Sequence, residues 1–138
     1  MLDASIRVQI LNLLLDLRNE YDLTFIYITH DLAQARYIGN GIVVMYLGKV
    51  MESGPVESVV TTPIHPYTKA LVSNVPVPDP TLKRDKIVVK GETPSALDIP
   101  PGCRFHPRCP HATDACKTKK PELVEAEYKH FVACHEAA

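Results

Sequence analysis

The chain has 138 residues, of which 46% are hydrophobic and 22% charged, and its formal net charge is −1. This length predicts one domain with a core, or a small domain plus an appendage, and the composition is that of an ordinary soluble protein. The near-neutral charge excludes a field that would draw the whole chain to nucleic acid, and no run of about 20 apolar residues could cross a bilayer.

The N-terminal third predicts alternating helices and strands. Apolar residues recur at spacings of three and four over residues 4–20, which predicts an amphipathic helix capped by the Asp3 carboxylate. Residues 23–29 are an unbroken apolar, β-branched and aromatic run that ends at His30, so a buried parallel strand is expected there. Residues 31–38 are expected to form a short helix. This order predicts an α/β fold with helical crossovers.

The middle of the chain predicts a hairpin followed by two short helices. Residues 42–47 predict a second buried strand, and a tight turn at residues 48–49 returns the chain as a third strand over 50–52. Helices are expected over roughly 56–60 and 66–74. Two or three strands make an incomplete sheet, so this region predicts one end of a larger domain.

The remaining sequence is rich in proline and cysteine. Residues 75–101 predict a proline-rich linker with an isolated strand at 86–89, and residues 121–128 are expected to add a short helix. The segment 102–138 has few large apolar residues, so a metal ion or disulfides are expected to keep it ordered.

His30 is the first candidate catalytic residue. A histidine at the C-terminal end of a buried strand lies where open α/β sheets bind ligands, and one ring N–H could donate to a phosphate oxygen. The alternative is a strand-end histidine satisfied by backbone groups. Asp3 is explained locally as a helix cap. The His65-Pro66-Tyr67 motif predicts a turn that starts a helix, with Tyr67 in packing.

Four cysteines form the second candidate site, and they are Cys103, Cys109, Cys116 and Cys134. Because the chain shows no secretory signal, thiols or metal ligands are expected rather than disulfides. Four thiolates suit a [4Fe–4S] cluster or a structural zinc ion, but the spacing C-x5-C-x6-C-x17-C matches no common pattern of either. Iron–sulfur, zinc and plain or disulfide-linked cysteines all stay open. Three histidines could each replace a thiolate, although surface or packing roles are expected for them: His106, His111 and His135.

Several motifs, taken in order, resemble the latter part of an ABC transporter ATP-binding subunit. The first is Met1-Leu-Asp-Ala-Ser with the helix after it, followed by Phe-Ile-Tyr-Ile-Thr-His-Asp-Leu at 25–32 and Ile-Val-Val-Met-Tyr-Leu-Gly-Lys-Val-Met-Glu-Ser-Gly at 42–54. Two later stretches resemble the oligopeptide/dipeptide import branch, namely Pro-Ile-His-Pro-Tyr-Thr-Lys-Ala-Leu at 63–71 and Gly-Cys-Arg-Phe-His-Pro-Arg-Cys-Pro at 102–110. The resemblance covers essentially the whole chain.

The resemblance implies a division into three parts. Residues 1–74 would be the C-terminal part of a P-loop-type nucleotide-binding domain, with Asp3 at a dimer interface beside the partner's nucleotide. His30 would be the switch histidine that contacts the γ-phosphate. Residues 75–101 would be the linker, and 102–138 an irregular cysteine-rich region that holds a [4Fe–4S] cluster, with zinc as the alternative. ATP and Mg²⁺ would be cofactors of the full-length protein.

The resemblance also implies partners and a location. The partners would be a second ATP-binding subunit, transmembrane permease subunits and, indirectly, a solute-binding protein, with no nucleic acid. The subunit would lie on the cytoplasmic face of the cell membrane. Peptide, dipeptide and nickel importers share these motifs, so the substrate stays open.

The sequence departs from the family in its catalytic parts. It contains no Gly-x-x-x-x-Gly-Lys-Ser/Thr loop, no apolar run ending in Asp-Glu and no Leu-Ser-Gly-Gly-Gln signature. Phosphoryl transfer depends on those parts, so the chain is expected to be a fragment without ATPase activity of its own. The alternative is a stand-alone four-cysteine metal-bound interaction or redox-sensing module. A strand at 23–29 without neighbours is expected to recruit other chains through its exposed edges.

Overall fold

The computed structural model describes residues 3–75, 87, 89, 91–95 and 97–137. The chain splits into two compact units, Met1–Gly39 and Asn40–Ala138, called here the N-terminal and the C-terminal unit. The linker and the cysteine-rich region therefore share a unit with the hairpin. The predicted boundaries at residues 74 and 101 separate parts of the chain by role rather than by compactness, and they stay a prediction.

The N-terminal unit contains both of the helices that the sequence predicts. Helix α1 spans Ala4–Tyr21 and helix α2 spans Leu32–Ile38. Asp22 ends α1 in the left-handed conformation, with φ of 51°, and its backbone N–H donates to the Arg18 carbonyl. An aspartate tolerates this conformation better than most residues, so the helix stops there.

The predicted strand at residues 23–29 is wrong. The structure assigns these residues to no strand, and their side chains are exposed except for that of Thr29. Ile26 and Ile28 are 93% and 92% exposed. A strand needs a neighbour for its backbone hydrogen bonds. No described strand pairs with this segment. Its backbone therefore makes no sheet hydrogen bonds with a described strand, and its apolar side chains stay exposed.

The C-terminal unit is built on a four-stranded antiparallel sheet. Its strands are β1 (Gly41–Tyr46), β2 (Lys49–Pro55), β3 (Val124–Glu127) and β4 (His130–Val132), in the order β1-β2-β4-β3. All three pairings are antiparallel. The described residues therefore combine helices with an antiparallel sheet, and the predicted parallel arrangement with helical crossovers is wrong for them. The expected α/β class holds only as a mixture of helix and strand.

The predicted hairpin is confirmed, but its turn lies at residues 47–48 rather than at the predicted 48–49, and β2 already begins at Lys49. Leu47 and Gly48 form its turn with φ of 46° and 75°, the positive values of a type I′ turn. Strand β1 is buried on one face only, since Val44 and Tyr46 are buried whereas the intervening Met45 is 55% exposed. The prediction of a buried strand therefore holds for one face of β1 only, since Val43 on the other face is also 58% exposed.

Three further helices follow or flank the sheet. Helices α3 (Val56–Thr61) and α4 (Pro66–Ser73) confirm the prediction, and α5 spans Asp114–Thr118. A short 3-10 helix covers His106–Arg108. The helix predicted at residues 121–128 is wrong, because Val124–Glu127 alternates apolar and acidic residues and pairs with β4 as a strand.

The core of the C-terminal unit lies between the hairpin and the cysteine-rich segment. Its buried members are Tyr46, Met51, Cys103, Phe105 and Cys116. The strand predicted at 86–89 lies largely outside the described residues. No helix among the described parts of the chain is long and apolar enough to cross a bilayer.

Candidate functional site

An ion pair connects the first turns of α1 with the segment after residue 29. The backbone N–H of Arg7 donates to the Asp3 carbonyl at 3.0 Å, and the Arg7 guanidinium lies 3.9 Å from the Asp31 carboxylate. Asp3 and His30 thus belong to two segments that one arginine links. Asp3 occupies the N-cap position, but its carboxylate makes no capping hydrogen bond. The predicted carboxylate cap is therefore wrong, since only its backbone serves the helix.

Asp31 is the true capping carboxylate of this unit. Its Oδ1 accepts the backbone N–H groups of Ala33 at 2.9 Å and Gln34 at 3.3 Å, which starts α2. Burial works to raise the Asp31 pKa, but hydrogen bonds from Gln34 and Ala33 and the Arg7 charge outweigh it and hold the pKa below its usual range. The residue beside it, His30, is exposed and bonded to no residue in the described ranges.

A second site lies inside the C-terminal unit, where Glu52 and His130 are both fully buried. The His130 Nε2–H donates to Glu52 Oε1 at 2.7 Å. Glu52 also accepts the backbone N–H of Ile64 at 2.8 Å and that of His65 at 3.0 Å. One carboxylate from β2 therefore holds β4 and the turn before α4 together. We call this set of contacts the Glu52 joint.

The His65-Pro66-Tyr67 motif starts helix α4, as predicted. His65 Nδ1 accepts the Tyr67 backbone N–H at 3.0 Å, and Pro66 occupies the first helical position. Burial lowers the His65 pKa to about 4, with Lys69 acting in the same direction and the Glu52 charge opposing. His65 is therefore neutral near pH 7, with its proton on Nε2 and a free acceptor for the cap.

Aromatic packing connects this motif with the cysteine-rich segment. The Tyr67 ring lies 4.9 Å from the Tyr46 ring and 5.3 Å from the Phe105 ring, measured between centroids. Phe105 is fully buried and also packs against Tyr46, with centroids 5.4 Å apart. The predicted packing role of Tyr67 is confirmed, because it fills the space between the sheet and residues 103–105.

All four cysteines are free thiols, with Cys103 and Cys116 buried and Cys109 and Cys134 half-buried. Burial raises the pKa of the Cys103, Cys109 and Cys134 thiols, and the neighbouring cysteines add to the rise. Backbone N–H groups oppose it at all three sulfurs.

The arrangement of these thiols does not fit a metal ion as it stands. Within residues 3–75, 87, 89, 91–95 and 97–137, no three His, Cys, Asp or Glu side chains are grouped so as to hold one. The donor type suits iron–sulfur or zinc, whereas the geometry does not present the donors together.

Gly102 sets the path of the chain into this segment. Its φ is +68°, and a Cβ added there would lie 2.3 Å from the Cys116 carbonyl oxygen. The Cys103 backbone N–H donates to that same carbonyl at 2.8 Å. Only a glycine permits this approach, which fixes Cys103 beside Cys116.

The Glu52 joint was not predicted from the sequence. Glu52 and His130 are separated by 78 positions, and neither lies in a local pattern that signals burial. The burial of β2 does not alternate, since the neighbouring residues Met51 and Glu52 are both buried, so a period-two pattern could not have indicated it. Only the pairing of β2 with β4 reveals their contact.

Comparisons with known proteins agree with these motifs. Residues 51–116 match the family described as "Oligopeptide/dipeptide transporter, C-terminal region". The chain is 47% identical over 134 residues to the "Probable peptide ABC transporter ATP-binding protein y4tS" of Sinorhizobium fredii, which covers 97% of this chain and 38% of that protein. It is 48% identical over 136 residues to the "Oligopeptide transport ATP-binding protein AppF" of Bacillus subtilis, covering 97% and 41%.

A further relative is the "Putative peptide import ATP-binding protein BOV_A0347" of Brucella ovis, which is 45% identical over 133 residues, or 96% of this chain and 42% of that protein. The chain is thus a relative of the ATP-binding proteins of peptide ABC transporters, and the resemblance seen in its motifs is confirmed. It spans about two fifths of the length of the curated relatives it matches.

Proposed function

We propose that this chain acts as the C-terminal part of an ATP-binding subunit that powers peptide import by an ABC transporter. The observation that carries the proposal is similarity at 45–48% identity over 96–97% of the chain to proteins named for that role. The partners would be a second ATP-binding subunit and transmembrane permease subunits, with a solute-binding protein acting through them. The site of action would be the cytoplasmic face of the membrane.

In this function His30 would contact the γ-phosphate of ATP, and Asp3 would lie at the dimer interface. Support comes from the exposed imidazole of His30, which leaves both ring nitrogens open to a ligand. Further support comes from the Arg7–Asp31 link, which ties the segment that carries His30 to the helix that starts after Asp3. The phosphate-binding loop, the Mg²⁺-associated aspartate and the catalytic glutamate are absent from these 138 residues, so hydrolysis needs other residues.

The test is a chimera in which this chain replaces the matching 41% of the Bacillus subtilis relative. We expect the isolated 138-residue chain to show no ATP turnover and the chimera to show it. His30→Ala in the chimera should lower kcat by about 100-fold, because it removes a contact to the transferred phosphoryl group. His111→Ala, at another exposed histidine, is the matched control and should leave kcat unchanged. A His30→Ala chimera with full turnover would contradict the assigned role.

We further propose that Cys103, Cys109, Cys116 and Cys134 ligate a [4Fe–4S] cluster, with zinc as the alternative. Two features support it: the four free thiols and the backbone N–H groups at three of the sulfurs. Hydrogen bonds to sulfur are a common feature of cluster sites. The thiols would have to converge from their present positions.

Metal analysis and a visible spectrum of anaerobically purified protein test this cofactor. A cluster predicts iron and sulfide at about four each per chain with absorbance near 400 nm, and zinc predicts one colourless ion per chain. A folded chain that carries neither metal would reject both and leave the cysteines as thiols.

A further inference from the structure

A partly open pocket of about 80 Å³ lies on the C-terminal unit. Three of its lining side chains are cationic, those of Lys49, Arg104 and Lys120. The other lining residues are apolar, glycine or proline, and none is acidic. The pocket thus combines concave shape with charge of a single sign.

The cations are placed by rigid local structure. Lys49 is the first residue of β2, directly after the type I′ turn. The Arg104 guanidinium donates to the Leu47 carbonyl of that turn, which fixes its position beside Lys49. Two other lining residues are also joined, because the Ala133 backbone N–H donates to the Met51 carbonyl at 2.8 Å. The walls are therefore held by backbone contacts, and a ligand would meet a preformed site.

The three charges have no anionic partner in the part of the chain that the structure describes. Arg104 bonds only a neutral carbonyl, and Lys49 and Lys120 make no ion pair with a described residue. Lys117 differs, because its Nζ lies 2.8 Å from the Asp114 carboxylate. The small lysine cluster at 117–120 is therefore divided, with Lys117 neutralised and Lys120 turned to the pocket.

We propose that this pocket binds a small, multiply charged oxyanion of the phosphate class. An anion here would be attracted by three positive charges and would relieve their mutual repulsion. The guanidinium fork suits tetrahedral oxyanions, to which it can donate two parallel hydrogen bonds. At about 80 Å³ the pocket is far smaller than the roughly 300–1,000 Å³ of sites for larger organic ligands, so it suits a compact four-oxygen anion.

The test is a titration of the ¹⁵N-labelled chain with inorganic phosphate, followed by amide chemical shifts, with a sodium chloride series at matched ionic strength. We expect saturable shifts concentrated at the amides of Val50, Gly102 and Ala133, and no such shifts with chloride. Glycerol 3-phosphate is titrated in parallel. Equal affinity for it assigns the site to phosphate monoesters, and weaker affinity assigns it to free phosphate.

Substitutions distinguish phosphate binding in this pocket from unspecific attraction of phosphate to basic residues. Lys49→Gln with Lys120→Gln should weaken phosphate binding at least about tenfold, because two of three attractive charges are lost. Both side chains are exposed, so the fold should survive. Lys117→Gln is the matched control and should change affinity less than about twofold, because that charge is already paired. The proposal is overturned if phosphate gives no saturable shifts, if chloride reproduces them, or if Lys117→Gln weakens binding as much as the double substitution.

Discussion

The two units of the chain differ in which residues they bury: the N-terminal unit exposes many apolar side chains, and the C-terminal unit buries polar ones. In the N-terminal unit, Ile6, Ile10 and Leu13 of α1 are 45%, 42% and 57% exposed. In the C-terminal unit, charged Glu52 and titratable His130 are fully buried and bonded to each other. The first unit leaves most of the apolar side chains of α1 exposed and, among the described side chains of that helix, buries only Leu11, whereas the second buries a bonded pair of polar side chains beside its apolar core. Apolar pattern alone therefore does not make a unit self-sufficient.

The largest expected effect concerns association of the N-terminal unit. Ile26 and Ile28 are 93% and 92% exposed in a segment that pairs with no described strand. Such surfaces recruit other chains. We expect the chain to self-associate, and Ile26→Asp with Ile28→Asp to raise its apparent dissociation constant by about 100-fold or more, since each isoleucine buried on association contributes about 1.5–3 kcal/mol. Light scattering across a concentration series measures this.

The matched control for association is Leu97→Asp. Leu97 is 98% exposed, so this change removes a similar apolar surface from the C-terminal unit. Association should be unaffected by it. A parent chain that stays monomeric at all concentrations would contradict the prediction that the exposed apolar residues of the N-terminal unit recruit other chains.

The second expected effect concerns the Glu52 joint. Glu52→Ala would leave His130 buried without its partner and two backbone N–H groups, those of Ile64 and His65, unbonded. Breaking a buried pair of this kind costs about 3–5 kcal/mol. We expect the free energy of unfolding of the C-terminal unit to fall by that amount, with loss of amide-exchange protection in β4.

The control for this change is Glu122→Ala. Glu122 is exposed, so its loss should alter the free energy of unfolding by less than about 0.5 kcal/mol. If Glu52→Ala were equally mild, the buried joint would not be what specifies the C-terminal unit.

Local signals explain which elements the sequence predicts. The hairpin follows from a Gly next to a Lys between two apolar runs, and α4 follows from His65-Pro66, where proline occupies the first helical position. These elements need only nearby residues. The strand at 23–29 and the helix at 121–128 were wrong for the opposite reason, because pairing partners decide whether such segments form strands.

In the candidate sites, too, the contacts that depend on distant residues could not be predicted from the sequence. The approach of Cys103 to Cys116 was foreseeable only as membership of one cysteine-rich segment. Gly102 follows two prolines, which signals a turn, but that signal does not show that the turn approaches the Cys116 carbonyl. The Glu52–His130 contact crosses 78 positions and requires the β2–β4 pairing. The roles of His30 and Asp3 come from the resemblance, and they stay predictions.

A smaller effect should depend on pH. Burial lowers the folded-state pKa of His65 from 6.5 to about 4, so between these values the unfolded chain binds a proton that the folded chain does not. The stabilisation from neutral His65 is present above pH 6.5 and is lost progressively as the pH falls toward 4. Between pH 7 and pH 5 we expect a loss of about 2 kcal/mol from this residue, measured by urea unfolding.

His65→Asn isolates this contribution. Asparagine keeps an acceptor for the Tyr67 N–H but does not titrate, so the loss between pH 7 and pH 5 should shrink by about 2 kcal/mol. His111→Asn, at an exposed histidine outside the Glu52 joint, should leave the pH dependence as it is in the parent chain. An unchanged slope in His65→Asn would mean that protonation elsewhere dominates.

The smallest expected effect is a difference in stability between substitutions of the two aspartates that precede the helices of the N-terminal unit. Asp31→Ala removes a carboxylate that accepts two backbone N–H groups of α2, and the expected loss is about 1 kcal/mol. Its ion pair with Arg7 adds little, because both side chains are partly exposed. Asp3→Ala should cost much less, since the Asp3 carboxylate makes no capping bond. Helix content and urea unfolding of the two variants compare them directly. Equal losses would show that Asp3 caps α1 in solution, and the N-terminal unit would then hold its first helix more firmly than its exposed apolar face suggests.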